Sequence, residues 1–90
     1  MLESNVKIVN QLGLHARAAA QLVKLSIKFS SSVKIHRTDS NIEADAKSIL
    51  SILTLAASRG TTIKITINGS DEEQALEEIE QLFINGFGEL

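Results

Sequence analysis

Val6 and Ile8 alternate with Lys7, the two-residue period of a strand with one buried face. Gly13 breaks that period. From about Ala16 to Phe29 the apolar spacing becomes three and four, which predicts a helix turning Ala19, Leu22, Val23, Ser26 and Phe29 inward. Ser30-Ser31-Ser32 ends it, and Val33 and Ile35, alternating with Lys34 and His36, predict a second strand. The polar cluster Thr38-Asp39-Ser40-Asn41 predicts a hairpin into a short third strand near Ile42. Helical spacing returns from Lys47 to about Ala57, with Ile52 and Leu55 as core positions and Gly60 placed as a C-terminal cap. Ile63, Ile65 and Ile67 alternate with Lys64 and Thr66, the clearest strand in the chain. After the turn Asn68-Gly69-Ser70, Ser70 or Asp71 can cap a last helix that buries Ala75, Leu76, Ile79, Leu82 and Phe83.

The order is thus βαββαβα. Strands with one apolar face and helices with one apolar stripe predict an α+β fold: a four-stranded antiparallel sheet with three helices on a single face, an open-faced two-layer sandwich. Residues 1–90 make one domain, because 90 residues leave no room for a second core. Three Phe, no Trp and no Tyr mean that Ile, Leu, Val and Ala build the interior.

Composition excludes several kinds of function. The chain has no Cys, so disulfides, thiolate metal sites and cysteine nucleophiles are ruled out. Met1-Leu2-Glu3-Ser4-Asn5 lacks the basic start and apolar stretch of a signal peptide. No apolar run approaches the roughly 18 residues that cross a bilayer. A cytoplasmic protein without membrane insertion is expected, with a monomer as the default. The formal charge of −2 hides an asymmetry. Asp71, Glu72, Glu73, Glu77, Glu78 and Glu80 crowd one segment, while the basic residues sit mostly before Gly60. Two faces of opposite sign are expected rather than a nucleic-acid binder, which would carry a strong positive excess.

The candidate chemistry lies in Gly13-Leu14-His15-Ala16-Arg17. His15 falls where a strand has ended and a helix begins. The first N–H groups of a helix have no intrahelical acceptor, so the backbone at Ala16, Arg17 and Ala18 forms a ready anion site. The positive end of the helix dipole disfavours imidazolium and favours the neutral, nucleophilic ring. Arg17 supplies a guanidinium fork suited to phosphate oxygens. Arg17, Gln21, Lys24 and Lys28 recur at helical spacing as a basic-polar stripe, which reads as a docking surface for an acidic partner. Taken alone, a His at a helix start is more often structural or incidental than chemical.

The run Asn10-Gln11-Leu12-Gly13-Leu14-His15-Ala16-Arg17-Ala18-Ala19 closely resembles the active-site segment of the HPr family, the histidine phosphocarriers of the bacterial phosphotransferase system. The likeness continues through Ala46-Lys47-Ser48-Ile49, Leu55, Gly60 and the Gly69-x-Asp71-Glu72 turn, and so spans essentially the whole chain. It implies that His15 is phosphorylated through Nδ1 by enzyme I, that Arg17 steadies the phosphoryl group, and that a IIA-type protein receives it. On that reading the chain is a carrier without turnover of its own and needs no cofactor. Ser48 matches a position that a dedicated ATP-dependent kinase (the HPr kinase/phosphorylase) modifies in many bacteria, regulating carbon use through a transcription regulator. Equally, Ser48 is simply an N-cap. Ala20, Gln21, Lys24, Lys47, Ile49, Leu50 and Leu53 are the expected partner interface. The last three form an apolar patch that the core does not need once Ile52 and Leu55 point inward.

Two features complicate the likeness. Ala18 stands where most members have Pro, and an Ala keeps an N–H that Pro lacks. Leu12 and the Leu82-Phe83 … Gly86-Phe87 stretch resemble the nitrogen-related branch, whereas Lys47-Ser48 resembles the sugar-transport branch. A regulatory module of the same fold, acting through phospho-Ser48, is the competing reading. Members of that kind typically lose the active histidine, and His15 is present. His36 reads as an exposed strand residue, and two separated histidines without a carboxylate cluster make a poor metal site.

Overall fold

The computed structural model describes residues 1–90. The elements run β1 (Leu2–Lys7), α1 (Ala16–Ser26), β2 (Ser32–Arg37), β3 (Glu43–Asp45), α2 (Ile49–Leu53), β4 (Thr62–Asn68) and α3 (Glu72–Ile84), followed by a short 3-10 turn at Gly86–Gly88. All strand pairs are antiparallel and the sheet order is β1-β4-β2-β3. The alternation that marked β4 puts it at the centre. Ile63, Ile65 and Ile67 are all fully buried, with Val33 and Ile35 of β2 opposite Ile67 and Ile65. Their neighbours Lys34, Lys64 and Thr66 lie on the other face, half in water. A single cluster of 21 buried residues joins the sheet's apolar face to the helices.

Helix α1 is rotated and shortened relative to its predicted form. Its buried positions are Ala18, Ala19, Leu22 and Ser26, and Val23 is only half-buried. The helix closes at Ser26 because tighter bonds take over, from Lys28 N to Leu25 O (3.2 Å) and from Phe29 N to Ser26 O (3.2 Å). These swing Phe29 into the core from outside the helix.

Helix α2 is five residues long, not the eleven from Lys47 to Ala57 that its apolar spacing predicts. Its last carbonyls are taken by tighter backbone bonds, Leu55 N to Ile52 O (3.0 Å) and Ala56 N to Leu53 O (3.2 Å). Beyond it the Arg37 guanidinium holds Leu55 O (2.9 Å) and Ala56 O (3.3 Å). The left-handed residue that ends this segment is Ala56, at φ 48°, and not Gly60. Gly60 instead turns the chain into β4, its N–H donating to Ile8 O at 2.8 Å. Ile52 and Leu55 are fully buried as predicted.

Strand β3 begins one residue after Ile42, which is exposed. In α3, Ala75, Ile79 and Phe83 are fully buried while Leu76 and Leu82 pack at the core's margin. Asp71 occupies the N-cap position of α3, yet its carboxylate does not bond that helix. It accepts instead from the N–H groups of Ser30 (2.9 Å) and Ser31 (3.0 Å) and from the Ser31 hydroxyl. Those donors, led by the Ser31 hydroxyl, lower the Asp71 carboxyl to about 2. Asp71 thereby ties the start of β2 to the start of α3.

Candidate functional site

Between β1 and α1 the chain makes a tight crossing that only glycine permits. Gly13 sits at φ +66°, and a Cβ there would come within 2.9 Å of Ser58 Cα. The turn seats Leu14, whose N–H donates to Ala57 O at 2.9 Å, and leaves His15 as the N-cap of α1 with extended backbone (φ −72°, ψ 177°). Histidine is an unusual cap. Here its Nδ1 takes the place of a Ser or Asp oxygen and accepts the Arg17 N–H at 3.3 Å.

The first helical bond runs from Ala19 N to His15 O (2.8 Å), so the N–H groups of Ala16, Arg17 and Ala18 lie outside the helical ladder. Ala16 and Ala18 N–H have no acceptor in the protein. The donor that Pro would remove at position 18 is therefore free. An anion carried on Nδ1 would lie beside the Arg17 N–H and the positive end of α1.

The other ring nitrogen faces a residue that the sequence did not single out. His15 Nε2 lies 2.5 Å from Glu89 Oε2, across 74 positions of chain. The same oxygen accepts from Arg17 Nε (3.3 Å) and Nη2 (3.2 Å). Glu89 Oε1 accepts from the amide of Asn10 at 3.1 Å, and that amide also holds Gly13 O at 2.8 Å. The side chains of His15 and Glu89 are 23% and 15% exposed, against 70% for Arg17. The Glu89 carboxyl is held below its ordinary range, first by the Asn10 amide and then by His15 and Arg17, while desolvation pulls the other way.

The remaining predicted residues divide. Ala20 and Lys24 are exposed on α1. Gln21 donates its amide to Phe87 O at 3.0 Å, so it anchors the segment after α3 rather than standing free. The Lys47 ammonium likewise bonds Phe29 O at 2.9 Å, closing the exit of α1. Ser48 is the N-cap of α2, its hydroxyl accepting from Ser51 N at 3.3 Å. Ile49, Leu50 and Leu53 stand outside the core, with Leu50 79% exposed. His36 is half-buried, its Nε2 2.8 Å from Ser40 O. No group of three His, Asp or Glu side chains is placed to hold a metal ion.

A family profile described as the PTS HPr component phosphorylation site matches residues 2–85. The chain belongs to the HPr family. It is 44% identical over 89 residues to the phosphocarrier protein HPr of Xylella fastidiosa, covering 99% of this chain and 98% of that one. It is 38% identical over 88 residues to the phosphocarrier protein NPr of Escherichia coli, covering 98% and 97%. Among solved structures, HPr-C-His from Thermoanaerobacter tengcongensis superposes with a TM-score of 0.92 at 38% identity, over 100% of this chain and 99% of that one. The open antiparallel sheet with three helices is thus the HPr fold, as the order of elements predicted.

Proposed function

We propose that this HPr-family phosphocarrier takes up its phosphoryl group on Nδ1 of His15, steadied by Arg17 and by the backbone N–H groups of Ala16, Arg17 and Ala18. Enzyme I is the donor and a IIA-type protein the acceptor. The observation that carries this reading is the ring's orientation: Nδ1 faces the start of α1, where its lone pair accepts only the long Arg17 N–H bond of 3.3 Å beside the positive end of the helix. The lone pair attacks the donor's phosphorus, the new N–P bond forms as the donor's bond breaks, and the donor keeps that electron pair. Little covalent work falls to the protein, so positioning and charge stabilisation dominate. The chain acts as one domain, over residues 1–90, and as a monomer. It has no turnover of its own, and it works in the cytoplasm where enzyme I operates. No helix is long and apolar enough to cross a membrane.

The test is a relay. Protein charged by enzyme I and phosphoenolpyruvate is separated and mixed with purified IIA proteins of the sugar-transport and nitrogen-related kinds. Transfer to one of them confirms the carrier and assigns its branch. A stably charged protein that discharges to neither would remove the carrier reading.

Both partners dock over Ala20, Lys24 and the apolar patch of Ile49, Leu50 and Leu53, beside the half-anchored Gln21 and Lys47. Ile49→Glu is expected to slow transfer into and out of the protein about tenfold, the effect of losing one interface anchor of roughly 1.4 kcal/mol. Stopped transfer reactions read by intact mass measure it, and wild-type rates in both directions would remove the patch from the interface.

Ser48 adds a second layer, resting on its position at the head of α2 beside the patch residue Ile49. A phosphate there adds about −1.5 to −2 charge to the docking face and weakens an acidic partner, as a kinase-driven switch of carbon use requires. Incubation with HPr kinase and ATP is expected to place one acid-stable phosphate on Ser48, and none on Ser48→Ala. Failure of an active kinase to modify the wild type ends this part of the reading.

A further inference from the structure

The sequence marks His15 and Arg17, but the structure adds a third member from the far end of the chain. We propose that Glu89 is a positioning residue for His15: its carboxylate accepts the Nε2–H, holds the ring in the tautomer that leaves the lone pair on Nδ1, and offsets the charge the ring gains on phosphorylation. The proposal deepens the phosphocarrier reading above and rests on it.

The two ring contacts agree on one protonation state. A neutral imidazole has one donor and one acceptor nitrogen. Nδ1 accepts the Arg17 N–H, so the proton sits on Nε2, 2.5 Å from Glu89 Oε2. When Nδ1 gives its lone pair to phosphorus, Nε2 keeps its proton and the ring becomes cationic. A carboxylate already in place stabilises that cation without moving, as in other sites where an acid orients a histidine. In the onward step the N–P electron pair returns to Nδ1 and the charge disappears. The same contact thus acts in both directions of transfer.

The backbone that brings Glu89 to His15 is strained, and its anchors are specific. Gly86, Phe87 and Gly88 all take left-handed conformations, at φ 57°, 56° and 74°. For Phe87 that conformation is unfavourable and persists only where the surroundings over-determine it. Phe87 is buried edge-to-face on Phe83, with ring centroids 5.0 Å apart, and its carbonyl takes the Gln21 amide. Two residues on, Glu89 meets Asn10, a fully buried side chain that holds Oε1 and leaves Oε2 to the ring and the Arg17 guanidinium. An exposed glutamate without a task would need neither the left-handed turn nor the buried amide.

The test compares wild type, Glu89→Gln and Glu89→Ala, each checked for native fold by circular dichroism. In the uncharged wild type, proton NMR is expected to show a slowly exchanging, far-downfield Nε2–H resonance. Glu89→Gln keeps an acceptor and retains the resonance, shifted upfield; Glu89→Ala loses it. Phosphoryl uptake from charged enzyme I is expected to fall about tenfold in Glu89→Ala, with Glu89→Gln between the two, because a charge-assisted hydrogen bond has become a neutral one or none. A resonance unchanged in Glu89→Ala, or uptake within about twofold of wild type, overturns the proposal. The resonance is read without phosphate. A wild type that never charges would therefore count against the carrier reading alone, while the resonance would still decide the contact.

Discussion

His15→Ala will take up no phosphate from enzyme I and phosphoenolpyruvate under conditions that charge the wild type with one acid-labile group. The other histidine, His36, lies on β2 with its Nε2 2.8 Å from Ser40 O and does not cap a helix. Arg17→Ala is expected to charge, but about ten- to a hundredfold more slowly. That range is below the largest losses seen for buried oxyanion donors because the guanidinium works at an exposed position. Time-resolved intact-mass spectra measure both variants. Acid-labile phosphate on His15→Ala would move the site elsewhere, and a wild-type rate for Arg17→Ala would leave the backbone donors as the sole stabilisers.

The largest effect on stability is expected at Phe83. It is the bulkiest fully buried side chain, and it supports the Phe87 ring as well as the α3–sheet core. Phe83→Ala should lose about 3–5 kcal/mol, the transfer and cavity cost of a buried phenyl ring. Small domains hold only about 5–15 kcal/mol in all, so much of that margin disappears. Urea unfolding should show a lower midpoint at an unchanged slope. Ile84→Ala, one residue on but exposed, should stay within about 0.5 kcal/mol of wild type. Equal losses at the two positions would contradict the packing described. Phe83→Ala should also loosen Phe87, and with it Glu89, so its charging rate should fall further than stability alone explains.

How much of this the sequence discloses depends on where the contacts lie along the chain. His15 and Arg17 are legible because cap, turn glycine and helix start are neighbours in sequence, and their chemistry follows from local rules. The strands are legible for the same reason: alternation in Ile63-Ile65-Ile67 reports burial directly. The extent of α2 is not, since Leu55 and Ala57 continue the helical spacing after the backbone has left the helix. It ends in tighter backbone bonds and the left-handed Ala56, and the carbonyls beyond it are held by Arg37, which is 18 residues from Leu55 in sequence. Gln21 and Lys47 read as free surface groups because nothing local shows the carbonyls of Phe87 and Phe29 that claim them. Glu89 is the extreme case. Gly86-Phe87-Gly88 signals a left-handed turn, yet one glutamate among many acids carries no mark of the histidine it will meet.

The sheet order has a consequence for how the protein is made. β4 lies between β1 and β2, so neither early strand can pair with its principal neighbour until residues 62–68 exist. A nascent chain that has emerged only through α2 holds just the small β2–β3 hairpin, with two unpaired strand edges and the sheet-facing side of α1 uncovered. Folding of the sheet therefore waits for the central strand and then closes around it.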